Sequence, residues 1–430
     1  MKENGEKMHQ AEIHSSNEIT TPEINQEKGI SMQSDKMIIQ PKYHLHQLTC
    51  LLIILALTIA LKTGPAIAEV TKANLDESRA FSYAGVDYTI TYTDTPGDPD
   101  RVSVTDIDNA EAFTKDSYDA LVDLMGFRTP WLSTLPDYGI FVHDISGLGS
   151  AHPDCIELDA PMFSSQTALA VKKVLLHEMF HTVQRNYKDS INGGSTDYIG
   201  STFGKWVSEG TTVAIEDKAF AEIDDLTGHP FYEGDASDFL TSTGETLFNK
   251  SYDCGLWWNY LMEQLGTNKV EPNYGTEFMV AFWEKLVTND VDAPANSKPA
   301  LEELLAARGR SLENIFHDFT ICNYTREFDA TGIPDASKYS YIDEQTQPIT
   351  SNVPKTAASI PSSGSTSVNP WAAEYIVADV GPGSECFAVG FKAVSTGDTM
   401  AFTVVATDSA GSVIGIKRAI GTEFAGVFFS

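Results

Sequence analysis

The residues best able to do chemistry form the pentapeptide HEMFH, His177 to His181. On a helix, positions i and i+4 share one face, so both imidazoles can reach one cation about 2 Å from each ring nitrogen. Glu178 lies one step round the helix, beside that cation. There it can take a proton from water that the metal acidifies and pass it to a leaving amine. The donor set suits one catalytic zinc ion. A third ligand is needed, and the candidate is Glu209, 28 residues beyond His181 in the stretch WVSEGTT. Glu216, seven residues further on, falls on the same helical face as Glu209. Its carboxylate could accept the free N–H of a ligand imidazole and fix its tautomer. Asp217 is the rival for that role, and for either residue the alternative is a solvated helix face.

HEMFH also has a bland reading, two surface histidines spaced by chance. Its setting argues otherwise. The motif is preceded by VLL and contains Met179 and Phe180, inside a periodic helix expected over about 165–187 with Ala168, Val171, Val174, Leu175 and Phe180 inward. CIELD, Cys155 to Asp159, reads as a strand in front of that helix, and YGIFVH, Tyr138 to His143, as another. Residues 81–104 alternate around TPGDPD and read as a β-hairpin, and the apolar spacing over 106–125 predicts a helix. A second ligand-bearing helix is expected over about 205–220, then helices at 252–265, 275–287, 299–308 and 312–325. After about 345 the character changes. A Pro/Ser-rich linker, 346–370, leads into Val/Ile/Phe/Thr-rich segments over 371–430, which predict a small β-sandwich-like module. The fold class expected is α+β: a small sheet and an active-site helix, a helical lower lobe, and the all-β module.

HExxH followed by W-x-x-E-G on a later helix resembles the gluzincin branch of the zincin metallopeptidases, in particular secreted bacterial enzymes with HE-[FM]-F-H and W-[VL]-x-E-G-T. YDCGLWWNYLMEQLG (252–266) and LENIFHDFTICNY (312–324) are similar as well, so the resemblance spans about 80–345, and the expected catalytic domain is 69–345. It implies zinc held by His177, His181 and Glu209, Glu178 as general base, and a cleft between sheet and helices. Thr212 stands where many such proteins have Ala, and no HExxHxxGxxH continuation is present. Such enzymes often use a Tyr or His of the helical lobe to stabilise the oxyanion. Tyr252 is the candidate, with Tyr260 and His229 as rivals. CIELD is expected as the sheet edge on which an extended peptide pairs.

The leader addresses the chain. LTCLLIILALTIAL, Leu48 to Leu61, is uncharged and too short to span a bilayer comfortably, and Ala66-Ile67-Ala68 fits signal peptidase. Cleavage after Ala68 and secretion are expected, with Met37 as an alternative start and a retained anchor as the alternative fate. The net charge of −31, from 29 Lys+Arg against 60 Asp+Glu, argues against nucleic acid and anionic membrane as partners, and a peptide or protein substrate is what the resemblance implies. Cys155, Cys254, Cys322 and Cys386 remain after cleavage and permit three disulfide connectivities. His143 and His152 read as ordinary loop residues and Trp257-Trp258 as helical core. Asp94, Asp98 and Asp100 do not have the spacing of a calcium-binding EF-hand, so calcium is unsupported. Two other functions stay open: a binding or adhesion protein on the same scaffold, and a zinc hydrolase of a non-peptide substrate.

Overall fold

The computed structural model describes residues 75–130, 137–152, 155–192, 199–220, 222, 235–270, 273–326, 336–341, 353–358, 367–378, 386–392, 400–408 and 412–429. The leader, Ala68 and His229 lie outside these. Residues Lys72–Ser430 form one compact unit. It is mixed in class, with helices and small sheets.

β1 (Glu77–Tyr83) and β2 (Val86–Tyr92) form an antiparallel hairpin. Its turn is Ala84-Gly85, both at positive φ (51° and 79°), as a tight two-residue hairpin turn requires. TPGDPD follows β2 instead of sitting in the hairpin, and RVSV is not a strand: Arg101 makes a single bridge to Thr93 and Val104 opens a helix. β2 buries Val86, Tyr88, Ile90 and Tyr92 on one face, the period of two expected of a half-buried strand. α1 (Val104–Tyr118) starts at a capping box in which Ser103 and Asp106 satisfy each other's backbone N–H, and ends in a π-helical stretch, Asp119–Leu124. It carries the chain to β3 (Tyr138–His143), parallel to β2. β4 (Gly149–Ala151) and β5 (Cys155–Asp159) complete a five-stranded sheet of order β1-β2-β3-β5-β4.

The short α2 (Ala160–Ser165) leads into α3 (Ala168–Asn192), which carries HEMFH. α3 is the spine of the molecule. Val171, Val174, Leu175, Phe180 and Val183 are all buried, and Thr182 meets the hydroxyl of Tyr138 of β3 at 2.9 Å. The sheet lies along one side of α3. On others pack α4 (Ile199–Phe203), α5 (Lys205–Ala219) and, after α6 (Asp235–Thr241) and α7 (Gly255–Leu265), α8 (Thr276–Thr288). α9 (Pro294–Ala306) and α10 (Leu312–Thr325) close the helical lobe. Trp257 and Trp258 are fully buried in it. No described helix is long and apolar enough to cross a membrane.

The remaining strands pair two by two: β6 (Lys355–Ala358) with β7 (Tyr375–Ala378), β8 (Cys386–Lys392) with β11 (Glu423–Phe429), and β9 (Met400–Thr407) with β10 (Val413–Gly421). The segment before β7, β7 itself and β9 contact the helical lobe. Trp371 packs its ring on Phe248 and Phe316, the Tyr375 hydroxyl donates to the Thr320 carbonyl at 2.7 Å, and His317 meets Thr403. Cys254 is a buried free thiol that donates to the Leu247 carbonyl.

Candidate metal centre

Two helices build the centre. α3 presents His177, Glu178 and His181 because i and i+4 superpose on its face. α5 crosses it and presents Glu209. Close approach of α5 to α7 depends on two glycines. A Cβ on Gly210 would stand 2.6 Å from that of Cys254, and one on Gly255 would stand 2.5 Å from Val213 Cγ1. Trp206 stacks on Trp258, whose indole N–H donates to the Trp206 carbonyl at 2.6 Å. The W-x-x-E-G stretch therefore combines a packing anchor, an acidic side chain and a residue that must have no side chain.

His177 Nε2 and His181 Nε2 are 3.1 Å apart, and Glu209 Oε2 lies 3.6 Å from the first and 3.2 Å from the second. Tetrahedral coordination with bonds of about 2.05 Å has ligand-to-ligand edges of about 3.3 Å. The three edges fit that figure, and among the described residues this is the His/Cys/Asp/Glu group placed to hold a metal ion. All three are buried.

Each imidazole is held by its other nitrogen. Glu216 Oε1 accepts from His177 Nδ1 in a short contact, and Gln184 Oε1 accepts from His181 Nδ1 at 2.9 Å. The Gln184 amide in turn donates to the Ser208 carbonyl and the Thr212 hydroxyl, both at 2.9 Å, so α5 fixes its orientation. With Nδ1 protonated on both rings, both Nε2 lone pairs are left to face Glu209. On the far side of Glu216 lies Lys173 Nζ, 3.4 Å from Oε2, one helical turn before His177 and fully buried. Asp217 pairs with Lys218 instead. Lys173 and Gln184 escaped the sequence reading. Their spacing from the ligands, four and three residues along α3, was the available signal.

Three buried carboxylates, Glu178, Glu209 and Glu216, thus surround two imidazoles, and Lys173 pairs with Glu216. With neutral imidazoles the cluster carries two negative charges in excess, the deficit a divalent ion supplies. Without the ion, protons take that part. Burial works to lower the His177 pKa, but Glu216 and Glu209 outweigh it and hold it well above the ordinary value. Burial likewise works to raise Glu209, but His181 and His177 hold its carboxyl far below the usual range. Glu178 is pushed up by burial, which its histidine neighbours only partly offset.

The ring of Tyr252, in a 3₁₀ turn just before α7, stacks beside that of His177 with centroids 5.9 Å apart. Burial first, then Glu209 and Glu178, push its pKa up, so the hydroxyl stays protonated as a donor. Tyr260 is elsewhere, fully buried and donating to the Lys338 carbonyl. CIELD is not the sheet edge: β5 runs between β3 and β4, and the edge strand on that side is β4, which begins inside the turn expected at SGLGS. At Gly149 this strand packs closely on α3, where a Cβ would meet Glu178 at 2.7 Å and Val174 at 2.8 Å. His143 and His152 are not ordinary loop residues. His143 ends β3 and is buried, and both approach Glu157 of β5, at 3.6 and 3.1 Å. Asp94 pairs with Arg101, while Asp98 and Asp100 accept backbone N–H groups.

No family model matches the chain, and no curated protein matches it. Among solved structures, an aminopeptidase N family protein from Idiomarina loihiensis is similar at 12% identity and a TM-score of 0.36, over 56% of this chain and 46% of its own. The match thus spans less than half the length of that protein. Likeness at this level carries no argument, so the site stands on its own geometry.

Proposed function

We propose that this chain is a secreted zinc endopeptidase of the zincin type. What supports the reading most is the triangle of His177 Nε2, His181 Nε2 and Glu209 Oε2 at tetrahedral spacing, with Glu178 and Tyr252 beside it. These three residues would hold the ion, and zinc when bound would acidify a water and polarise a carbonyl. Glu178 serves as general base. Its burial raises its affinity for a proton towards working pH, and it can release that proton to the departing amine. Tyr252, protonated and next to His177, donates to the oxyanion as the scissile carbonyl becomes tetrahedral. Glu216 and Gln184 keep the two rings aimed. An extended peptide pairing with the outer edge of β4, which no described strand covers, would pass Glu178 at Gly149, which leaves room for it. The reading of export rests on the leader, and that of a peptide substrate on the β4 edge beside Glu178.

The test is metal content of the purified protein together with cleavage of casein. Near one zinc per chain is expected, with cleavage lost in Glu178→Gln at full zinc and zinc itself lost in Glu209→Ala. Zinc-loaded protein that cleaves no unfolded substrate would favour the binding-protein reading. Absence of zinc would reduce HEMFH to coincidence.

A further inference from the structure

With 60 acidic residues against 29 basic ones, a concentration of positive charge is uncommon in this chain. One occurs where α10, the 3₁₀ turn Ala336–Tyr339 and β10 meet. Arg310, Lys338 and Arg418 line a cavity of about 490 Å³ there, with Asp318 as its one acidic residue and Gln264 and Asn314 among its neutral ones. That volume lies in the range of small-molecule sites. Asp318 is buried, its Oδ2 accepting from Arg310 Nη2 at 3.0 Å and its Oδ1 from Arg418 Nη1. Those bonds use one nitrogen of each guanidinium, and each guanidinium carries five N–H donors in a planar fork. Among the described residues no second carboxylate pairs with either arginine or with Lys338. The adjacent His317 adds no charge, because burial and then Arg418 lower its pKa to about 3. The wall of the cavity therefore carries three positive charges and one negative. The net charge of the whole chain does not cancel this locally, since screening acts over about 8 Å at physiological salt.

We propose that this cavity binds a dianionic oxyanion, a phosphate or a phosphoryl or sulfate group of a small molecule. The chemistry is that of a bidentate guanidinium pair with an ammonium beside it. The three cations come from segments far apart in sequence, so the ligand would also tie β10 to the helical lobe. This inference is independent of the metal centre.

The test is calorimetric titration of the full chain with inorganic phosphate and with phosphoserine, at about 0.15 M chloride to suppress surface effects. Saturable binding of one ligand per chain is expected, with a rise in melting temperature that matched chloride does not produce. Lys338→Gln is the decisive variant. Lys338 makes no hydrogen bond to Asp318, so the variant should melt as the wild type does while binding roughly tenfold or more weakly, the worth of one charge-assisted hydrogen bond. Arg310→Gln should lose binding as well. Tighter binding of phosphoserine would assign the site to a phosphorylated small molecule, and tighter binding of phosphate to the free ion. No binding up to about 10 mM, or unchanged binding in Lys338→Gln, would overturn the proposal.

Discussion

Replacing Lys173 by Met tests how the metal centre is held from behind. Lys173 Nζ is 3.4 Å from Glu216 Oε2, both side chains are fully buried, and the other oxygen of Glu216 accepts from His177. Removing one partner of a buried ion pair costs about 3–5 kcal/mol when the other charge is left alone, but Glu216 keeps its contact with His177. That remaining partner, and the 3.4 Å separation, place the expected loss below that range, at about 2 kcal/mol. Met keeps the unbranched stem, so little of that loss comes from packing. Glu216→Gln breaks the same pair from the other side and should weaken zinc binding about 10- to 100-fold, because His177 loses a charged acceptor. The double variant removes both charges and keeps a neutral acceptor for His177 Nδ1. The two single losses should therefore exceed the double loss by about 2 kcal/mol, well beyond the roughly 0.5 kcal/mol of additive behaviour. Urea unfolding of the metal-free variants gives the stabilities, and chelator competition gives the zinc affinities. Additive single effects, or a Lys173→Met protein as stable as the wild type, would refute the reasoning: Lys173 and Glu216 would then be neighbours without consequence.

Tyr252→Phe keeps the ring beside His177 and removes the donor. Turnover should fall about 100-fold with zinc content unchanged, and a loss under about threefold would remove Tyr252 from the reaction. Gly149→Ala puts a Cβ within 2.7 Å of Glu178 and should cut kcat by displacing the proposed general base while zinc stays bound; wild-type kcat would show that β4 yields freely. His317 should make the docking of the C-terminal strands acid-sensitive. Its pKa is about 3 in the folded chain against about 6.5 unfolded, so below pH 6.5 the unfolded chain takes up a proton that the folded chain refuses. Its contribution to stability is complete above pH 6.5 and declines by up to about 1.4 kcal/mol per pH unit towards pH 3. His317→Gln should flatten that part of the stability profile between pH 7 and 4, and equal slopes in the two proteins would contradict it.

Local pattern carried much of this structure. CIELD and YGIFVH form strands over the residues expected, and the helix over 312–325 has the bounds that its spacing of three and four implies. The face of α3 was legible because helical geometry alone superposes His177 and His181. Turn chemistry misled where two signals competed. TPGDPD is rich in Pro, Gly and Asp, yet Ala84-Gly85 makes the hairpin, because strand pairing fixes which short link is used.

What the sequence determined by itself is therefore the set of donors and the faces that carry them. Tertiary structure decided who meets whom. Glu209 was a candidate by type, and it became a neighbour of both histidines because α5 crosses α3 there, while Gly210 and Gly255 let α5 and α7 close on each other behind it. Glu216 and not Asp217 supports His177, and β4 and not β5 is the edge beside Glu178. Lys173, Gln184 and the cations around Asp318 gain their meaning only across space. Periodicity reports which way a side chain points relative to its own helix or strand, whereas the partner it finds depends on how the elements cross.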